Sequence, residues 1–202
     1  MTRFLLIRHA AIDAHGRTLP GRMPGVHLNA QGRLQAQALA QRISGVPVSA
    51  LYSSPLERAI ETAEPIAKLL GLETVVSEGL LELGFGDWTG AAIEELANLE
   101  AFQRFNSFRS CAPVPGGESM LQAQARMVAA LHALHARHPD AHVAVIGHGD
   151  LIKAAIAHYA GIPLDLFQRL EVSPASISVV DIDDATVRIM AVNDTAGALL
   201  RA

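Results

Sequence analysis

Cysteine is almost absent: Cys111 stands alone in 202 residues. No disulfide can close within the chain, and the sequence fits a reducing, cytoplasmic setting. A lone thiol acts in chemistry only beside a group that favours its thiolate, so Cys111 is read as passive. Aromatic residues are scarce, at 4%, which leaves Ala, Leu, Val and Ile to build the core. No apolar run approaches the roughly 20 residues of a membrane-spanning helix. The opening stretch meets Arg8 and His9 too soon for a signal peptide and reads instead as a buried strand. Neither charge sign dominates: the formal net charge is −4 with neutral histidines, and no block of like charges stands out. The footprint of a nucleic-acid or anionic-membrane partner is therefore missing, and a phosphorylated substrate has to be met by a local positive pocket. Internal repeats, low-complexity tracts and a coiled-coil pattern are absent as well, so the oligomeric state is not legible.

What is present is a chain of one-domain length that can bury a proper core, half of it hydrophobic. Phe4 to Ile7 reads as a central strand, apolar on both faces. A Gly/Pro/Arg-rich loop, about 15–29, leads to a helix over 30–43. A second strand spans 48–52. After it, Ser54 as cap, Pro55 at the first helical position and Glu57 closing a capping box mark a helix running to Leu70 and stopping at Gly71. Residues 72–117 read as an irregular excursion over the end of the sheet, with one short helical stretch near 93–105. Ser119 and Gln122 mark the next helix, to about His138. A buried strand at 142–146 turns through Gly147-His148-Gly149-Asp150 into a helix ending near Tyr159. Strands at 177–181 and 187–192 close the chain as a hairpin or edge pair around Asp183-Asp184. This order predicts a single α/β domain over 1–202, a three-layer sandwich around a mostly parallel sheet.

In such sheets ligands gather beyond the carboxyl ends of the strands, and three strand ends carry chemistry. Arg8 and Arg58 offer fork-shaped donors suited to phosphate oxygens, and His9 and His148 offer imidazoles. The helix starts at Ser54 and Gly149 add outward N–H groups. A neutral imidazole is a competent nucleophile near physiological pH. Attack on phosphorus also needs an acid to protonate the leaving oxygen and then to activate water. Glu82 is the candidate, with Glu78 a nearby competitor. His9 and His148 are of a metal-ligand type, but no third ligand stands at a motif spacing. No metal or cofactor is expected. His132, His135, His138, His142 and His158 read as surface residues, and His27 is left open.

The ordered set Leu6-Ile7-Arg8-His9, Tyr52-Ser53-Ser54-Pro55-Leu56-Glu57-Arg58, Leu81-Glu82-Leu83-Gly84-Phe85-Gly86-Asp87-Trp88, Pro115-Gly116-Gly117-Glu118-Ser119 and Ile146-Gly147-His148-Gly149 resembles the histidine phosphatase superfamily, the phosphoglycerate mutase-like proteins. The resemblance covers nearly the whole chain and includes a bacterial branch described as probable phosphomutases or phosphatases. It implies His9 as the phosphorylated residue, Arg8 and Arg58 as phosphate clamps, His148 as the second histidine and Glu82 as proton donor. It places Arg22, His15 and Gly149 near the substrate. Three positions depart from the family pattern: Ala10 stands for a glycine, Ile12 for a hydroxyl residue and His15 for an asparagine. The expected activity is metal-independent hydrolysis of a small phosphorylated metabolite through a phosphohistidine. A phosphomutase and a non-catalytic phospho-ligand binding module are the alternatives.

Overall fold

A computed structural model describes residues 1–196. Its centre is a six-stranded sheet. The strands are β1 (Thr2–Arg8), β2 (Val48–Ser53), β3 (Thr74–Val76), β4 (His142–Gly147), β5 (Ile177–Ile182) and β6 (Val187–Asp194), in the order β3-β2-β4-β1-β5-β6. The first four of that order run parallel, while β5 lies antiparallel to β1 and β6 antiparallel to β5. The mixed sheet flanked by helices is the expected fold class.

Helices cover both faces. They are α1 (Ala30–Ile43), α2 (Glu57–Leu70), α3 (Ile93–Ala97), α4 (Glu100–Ser107), α5 (Met120–Arg137) and α6 (Gly149–Ala160). Successive strand residues point to opposite faces, and β1 shows the result. Leu5 and Ile7 join the core under α1 and α2, with Leu39, Ile43 and Ile66. Phe4 and Leu6 join the core under α5 and α6, with Met127, Leu131 and Ile152. The four successive apolar residues Phe4 to Ile7 of β1 thus serve two cores, as a strand buried on both faces requires.

Local signals explain several element ends. Asn29 caps α1 by accepting the Gly32 N–H at 2.8 Å. Ser119 and Gln122 form the reciprocal capping box of α5, at 3.2 and 2.9 Å. Gly71 and Gly161 end α2 and α6 in the left-handed conformation. The hairpin expected around Asp183-Asp184 is present at the antiparallel edge.

Three readings change. Helix α2 begins at Glu57, not at Ser54-Pro55, because Leu56 is extended and caps with no side chain. The Ser54 hydroxyl is engaged by His148 instead, at 2.8 Å, and the Glu57 carboxylate accepts the Gly25 N–H at 2.9 Å. The excursion contains a strand, β3, whose short run pairs in parallel with β2 at the sheet edge. Its helical stretch is two helices, α3 and α4, broken at 98–99.

The excursion folds back on itself through glycine. A Cβ at Gly86, where φ is +47°, would lie 2.1 Å from the Pro115 carbonyl oxygen. The 84–86 and 115–117 segments can therefore cross only without a side chain there. Trp88 anchors the packing through edge contacts to Phe102 and Phe105. A second close crossing lies beneath the loop after β1, where a Cβ at Gly32 would meet the Ala11 carbonyl oxygen at 2.1 Å. Gly32→Ala should displace that loop and cost about 1–3 kcal/mol of stability, read as a lower urea midpoint. An unchanged midpoint would refute the tight crossing.

Candidate active site

The carboxyl ends of β1, β2 and β4 meet under a cavity of about 340 Å³. Arg8, His9, His15, Arg58, Glu82 and Gly149 line it, together with Ile12, Phe85, Asp150, Lys153 and Glu171. His148 lies just below, fully buried, its ring 5.3 Å from that of His9. Of the residues read from the sequence, the structure leaves only Arg22 away from this group. Its Nε donates to the Glu82 carbonyl and its Nη2 to Glu118, both at 2.7 Å.

His9 is 5% exposed. Its Nδ1 lies 2.8 Å from the Ala10 carbonyl oxygen, which only accepts, so Nδ1 carries the proton and Nε2 keeps its lone pair. Burial drives the His9 pKa well below the usual histidine value, and the Arg58 charge adds to the effect. The ring is neutral at physiological pH. Ala10 causes no strain. Positive φ among non-glycine described residues is confined to Asp140, Ala175 and Asn193, and the Ala10 N–H donates to Thr62 Oγ1 at 3.0 Å.

Arg58 is 1% exposed. Its Nη2 donates to the Gly21 carbonyl at 2.7 Å and faces His148 Nδ1 at 3.4 Å. Arg8 Nη1 donates to the Val172 carbonyl at 2.7 Å, and its Nη2 donates to His15 Nδ1 at 3.2 Å. His15 therefore sits over Arg8 at the exposed mouth. Arg8 Nε and both Nε and Nη1 of Arg58 are buried with no partner. Unmatched guanidinium donors beside one cavity make an anion site.

His148 has Nε2 2.8 Å from Ser54 Oγ and Nδ1 3.8 Å from Glu82 Oε2. Burial, then the neighbouring His9 and Arg58, hold its pKa well below the usual value. A hydroxyl donates or accepts, so Ser54 can serve either tautomer of His148. Glu82, whose side chain is 14% exposed, accepts the Leu83 N–H at 2.8 Å. Burial raises its pKa to about 7, with a contribution from Asp150, against the Leu83 N–H, Arg58 and Arg8. A carboxyl that titrates near neutrality is suited to proton transfer.

Sequence reasoning missed Ser54 as a partner of His148, reading it as a helix cap, and missed Thr62 and Asp150. Asp150 Oδ2 receives Arg109 Nη1 at 2.9 Å, and the Arg109 guanidinium lies 4.3 Å and 4.8 Å from the ring centroids of Phe105 and Phe167. Lys153 and Glu171 at the mouth carried no motif signal. Gly116 and Gly117 face the crossing with 84–86 and do not line the cavity.

Two guanidinium forks around a neutral, oriented imidazole, with a carboxyl that titrates near neutrality, define a phosphoryl-transfer site. The family model of the histidine phosphatase superfamily (branch 1) matches residues 4–195, and the chain belongs to that superfamily. It is 30% identical over 200 residues to phosphoserine phosphatase 1 of Hydrogenobacter thermophilus, covering 96% of this chain and 93% of that protein. Its fold matches a phosphoserine phosphatase mutant from Entamoeba histolytica bound to phosphoserine, with a TM-score of 0.88, 26% identity and coverage of 98% and 100%. It also matches a mycobacterial glucosyl-3-phosphoglycerate phosphatase, with a TM-score of 0.86, 26% identity and coverage of 96% and 99%.

Gly149 admits Arg8. A Cβ there would lie 3.2 Å from Arg8 Nε, closer than ordinary contact. Gly149→Ala should shift the guanidinium and lower kcat/KM toward phosphate monoesters roughly tenfold, with the melting temperature little changed. Wild-type kcat/KM in that variant would remove Arg8 from phosphate positioning.

Proposed function

We propose that this protein hydrolyses a small phosphate monoester with His9 as nucleophile and Glu82 as acid and base. The carrying observation is the pairing of a free His9 Nε2 with unpartnered guanidinium N–H groups of Arg8 and Arg58. In the first step the Nε2 lone pair forms a bond to phosphorus as the bond to the leaving oxygen breaks. The Glu82 carboxyl proton passes to that oxygen, giving an alcohol and a phosphohistidine. In the second step water attacks phosphorus, the N–P bond breaks, and the Glu82 carboxylate takes the water proton. Inorganic phosphate leaves, and His9 returns neutral. Arg8, Arg58 and His148 hold the equatorial oxygens, where charge is spread in the transition state. No step requires a metal.

Hydrolysis is favoured over transfer back to a substrate hydroxyl because His15, Gly16 and Glu171 at the mouth are exposed, which gives water a route to the phosphohistidine. The relatives named phosphatases support the same outcome. The binding-only alternative drew its motive from Ala10, Ile12 and His15. Ala10 sits without strain, Ile12 forms an apolar wall of the cavity, and His15 reaches Arg8, so none of the three opposes turnover. The proposed location is the cytoplasm, in keeping with the single exposed Cys111; no helix among the described residues is long and apolar enough to cross a membrane.

Turnover of an aryl phosphate should survive a metal chelator and fall by at least about 10⁴-fold in His9→Ala. Rapid quenching of wild type should trap acid-labile phosphate on His9. Label on another residue would refute the mechanism. The pH profile follows from the two pKa shifts. His9 is titrated only well below 6.5, so it stays in its neutral, reactive form from that value upward. Glu82 holds its proton below about 7 and loses it above. With alkyl phosphates, and after correction for the substrate's own ionisation near pH ~6, kcat/KM should hold level up to pH 7 and then fall. A profile still level at pH 9 would exclude Glu82 as the acid.

A further inference from the structure

Two arginines converge on the main chain of Glu82 and an acidic residue joins them, and none of the three lines the cavity. The Glu82 carbonyl oxygen accepts Arg22 Nε at 2.7 Å and, at a longer 3.4 Å, Arg126 Nη2. Arg126 Nη1 also holds the Gly79 and Leu81 carbonyls, each at 2.9 Å. Glu118 joins the two arginines. Its Oε2 accepts Arg22 Nη2 at 2.7 Å and Arg126 Nη2 at 2.8 Å, and its Oε1 accepts Arg126 Nε at 2.9 Å. The same carboxylate accepts the Gly84 N–H at 3.3 Å, while the Glu118 N–H donates to the Gly84 carbonyl at 2.7 Å.

The segment from Gly79 to Gly84 has little regular structure of its own. It consists of a single turn of 3-10 helix at Glu78–Leu80 followed by extended chain. An irregular loop fixed by its own backbone alone is among the more mobile parts of a fold. Here most of its carbonyls from 79 to 84 instead end on guanidinium donors or on the Glu118 N–H. Charge-assisted bonds of this kind are stronger than neutral ones. Burial raises the Glu118 carboxyl, but the Arg126 hydrogen bond and the Arg126 and Arg22 charges outweigh it, so Glu118 stays ionised at neutral pH.

We propose that Glu118, Arg22 and Arg126 are positioning residues that hold the Glu82 backbone so that its carboxyl meets the leaving oxygen. The triad touches no substrate and acts through Glu82 alone, so the proposal rests on the role given to Glu82 above. It also gives Arg22 a different task from a substrate contact. The proton moves from the Glu82 carboxyl to the leaving oxygen as the P–O bond breaks and the bond to His9 Nε2 forms. A misplaced carboxyl weakens that one transfer and leaves the phosphate clamp intact.

Leaving-group dependence tests this. An alkyl alkoxide departs poorly without a proton, whereas 4-nitrophenolate departs without one. The quantity to measure is kcat/KM, which reports only the steps up to phosphohistidine formation. Glu82→Gln sets the reference, with a loss of about 10²–10⁴-fold on an alkyl phosphate and a small loss on 4-nitrophenyl phosphate. Glu118→Gln should repeat the pattern more weakly, with about 10–10²-fold lost on the alkyl ester and less than about threefold on the aryl ester. Arg22→Gln, at a more exposed site, should do the same and serves if Glu118→Gln does not fold. Combined with Glu82→Gln, either change should add nothing further on the alkyl ester. Equal losses on both esters, or none on either, in variants beside a selective Glu82→Gln would overturn the positioning role alone. If Glu82→Gln itself is unselective, the assignment of Glu82 fails, and the proposal with it.

Discussion

Two guanidinium groups lie buried at the end of the sheet without a carboxylate ion pair of their own among the described residues. Those charges, on Arg8 and Arg58, act together with burial on His9, His148 and Glu82. A buried charge is tolerated only when its donors are met. The protein meets part of the need with main-chain oxygens, Val172 for Arg8 and Gly21 for Arg58. It leaves the rest for an anion. The two histidines beside them stay neutral first because they are buried, and then because a further positive charge would be repelled. That neutrality is what suits His9 to the nucleophile's role proposed for it. Glu82 is balanced between burial and Asp150, which favour its proton, and the Leu83 N–H and the two arginines, which oppose it.

The fold supplies these positions from separate sources. Arg8-His9 and His148 stand at the carboxyl ends of adjacent strands, β1 and β4, paired through Arg8 and Gly147. Their spacing is fixed by the sheet ladder. Arg58 comes from the first turn of α2, and its reach depends on the loop that brings Gly21 to it. Glu82 comes from the part of the excursion beyond β3, where strand pairing has ended, and charged side chains take over the work that it does elsewhere.

Much of this was legible in the sequence. The two-sided apolar run of Phe4 to Ile7 marked the central strand, and the Ser119/Gln122 pair marked the start of α5. Polar residues at three strand ends marked the site. The rest was hidden for physical reasons. Ser54, Pro55 and Glu57 carry a sound capping signal, but tertiary contacts claimed both side chains that would have formed the cap. The three residues of β3 are too few to carry a period. Arg22 lies 60 positions from Glu82 and 96 from Glu118, and nothing local to it signals that long-range pairing. The pairing of Asp150 with Arg109 was hidden for the same kind of reason, with the arginine guanidinium lying over Phe105 and Phe167.

The placement of β1 between β4 and β5 has a consequence for how the molecule comes apart. Amides in the middle of a sheet exchange with solvent only when the whole structure opens, while irregular segments open at smaller free energies. The proposed nucleophile therefore stands at the end of one of the last parts to loosen, and the proposed proton donor on a segment that depends on the contacts of Glu118, Arg22 and Arg126 rather than on strand pairing. Under mild denaturant the molecule should pass through a form that still takes phosphate from a good leaving group and no longer from a poor one. Loss of function would then be a narrowing of chemistry before it is a loss of fold.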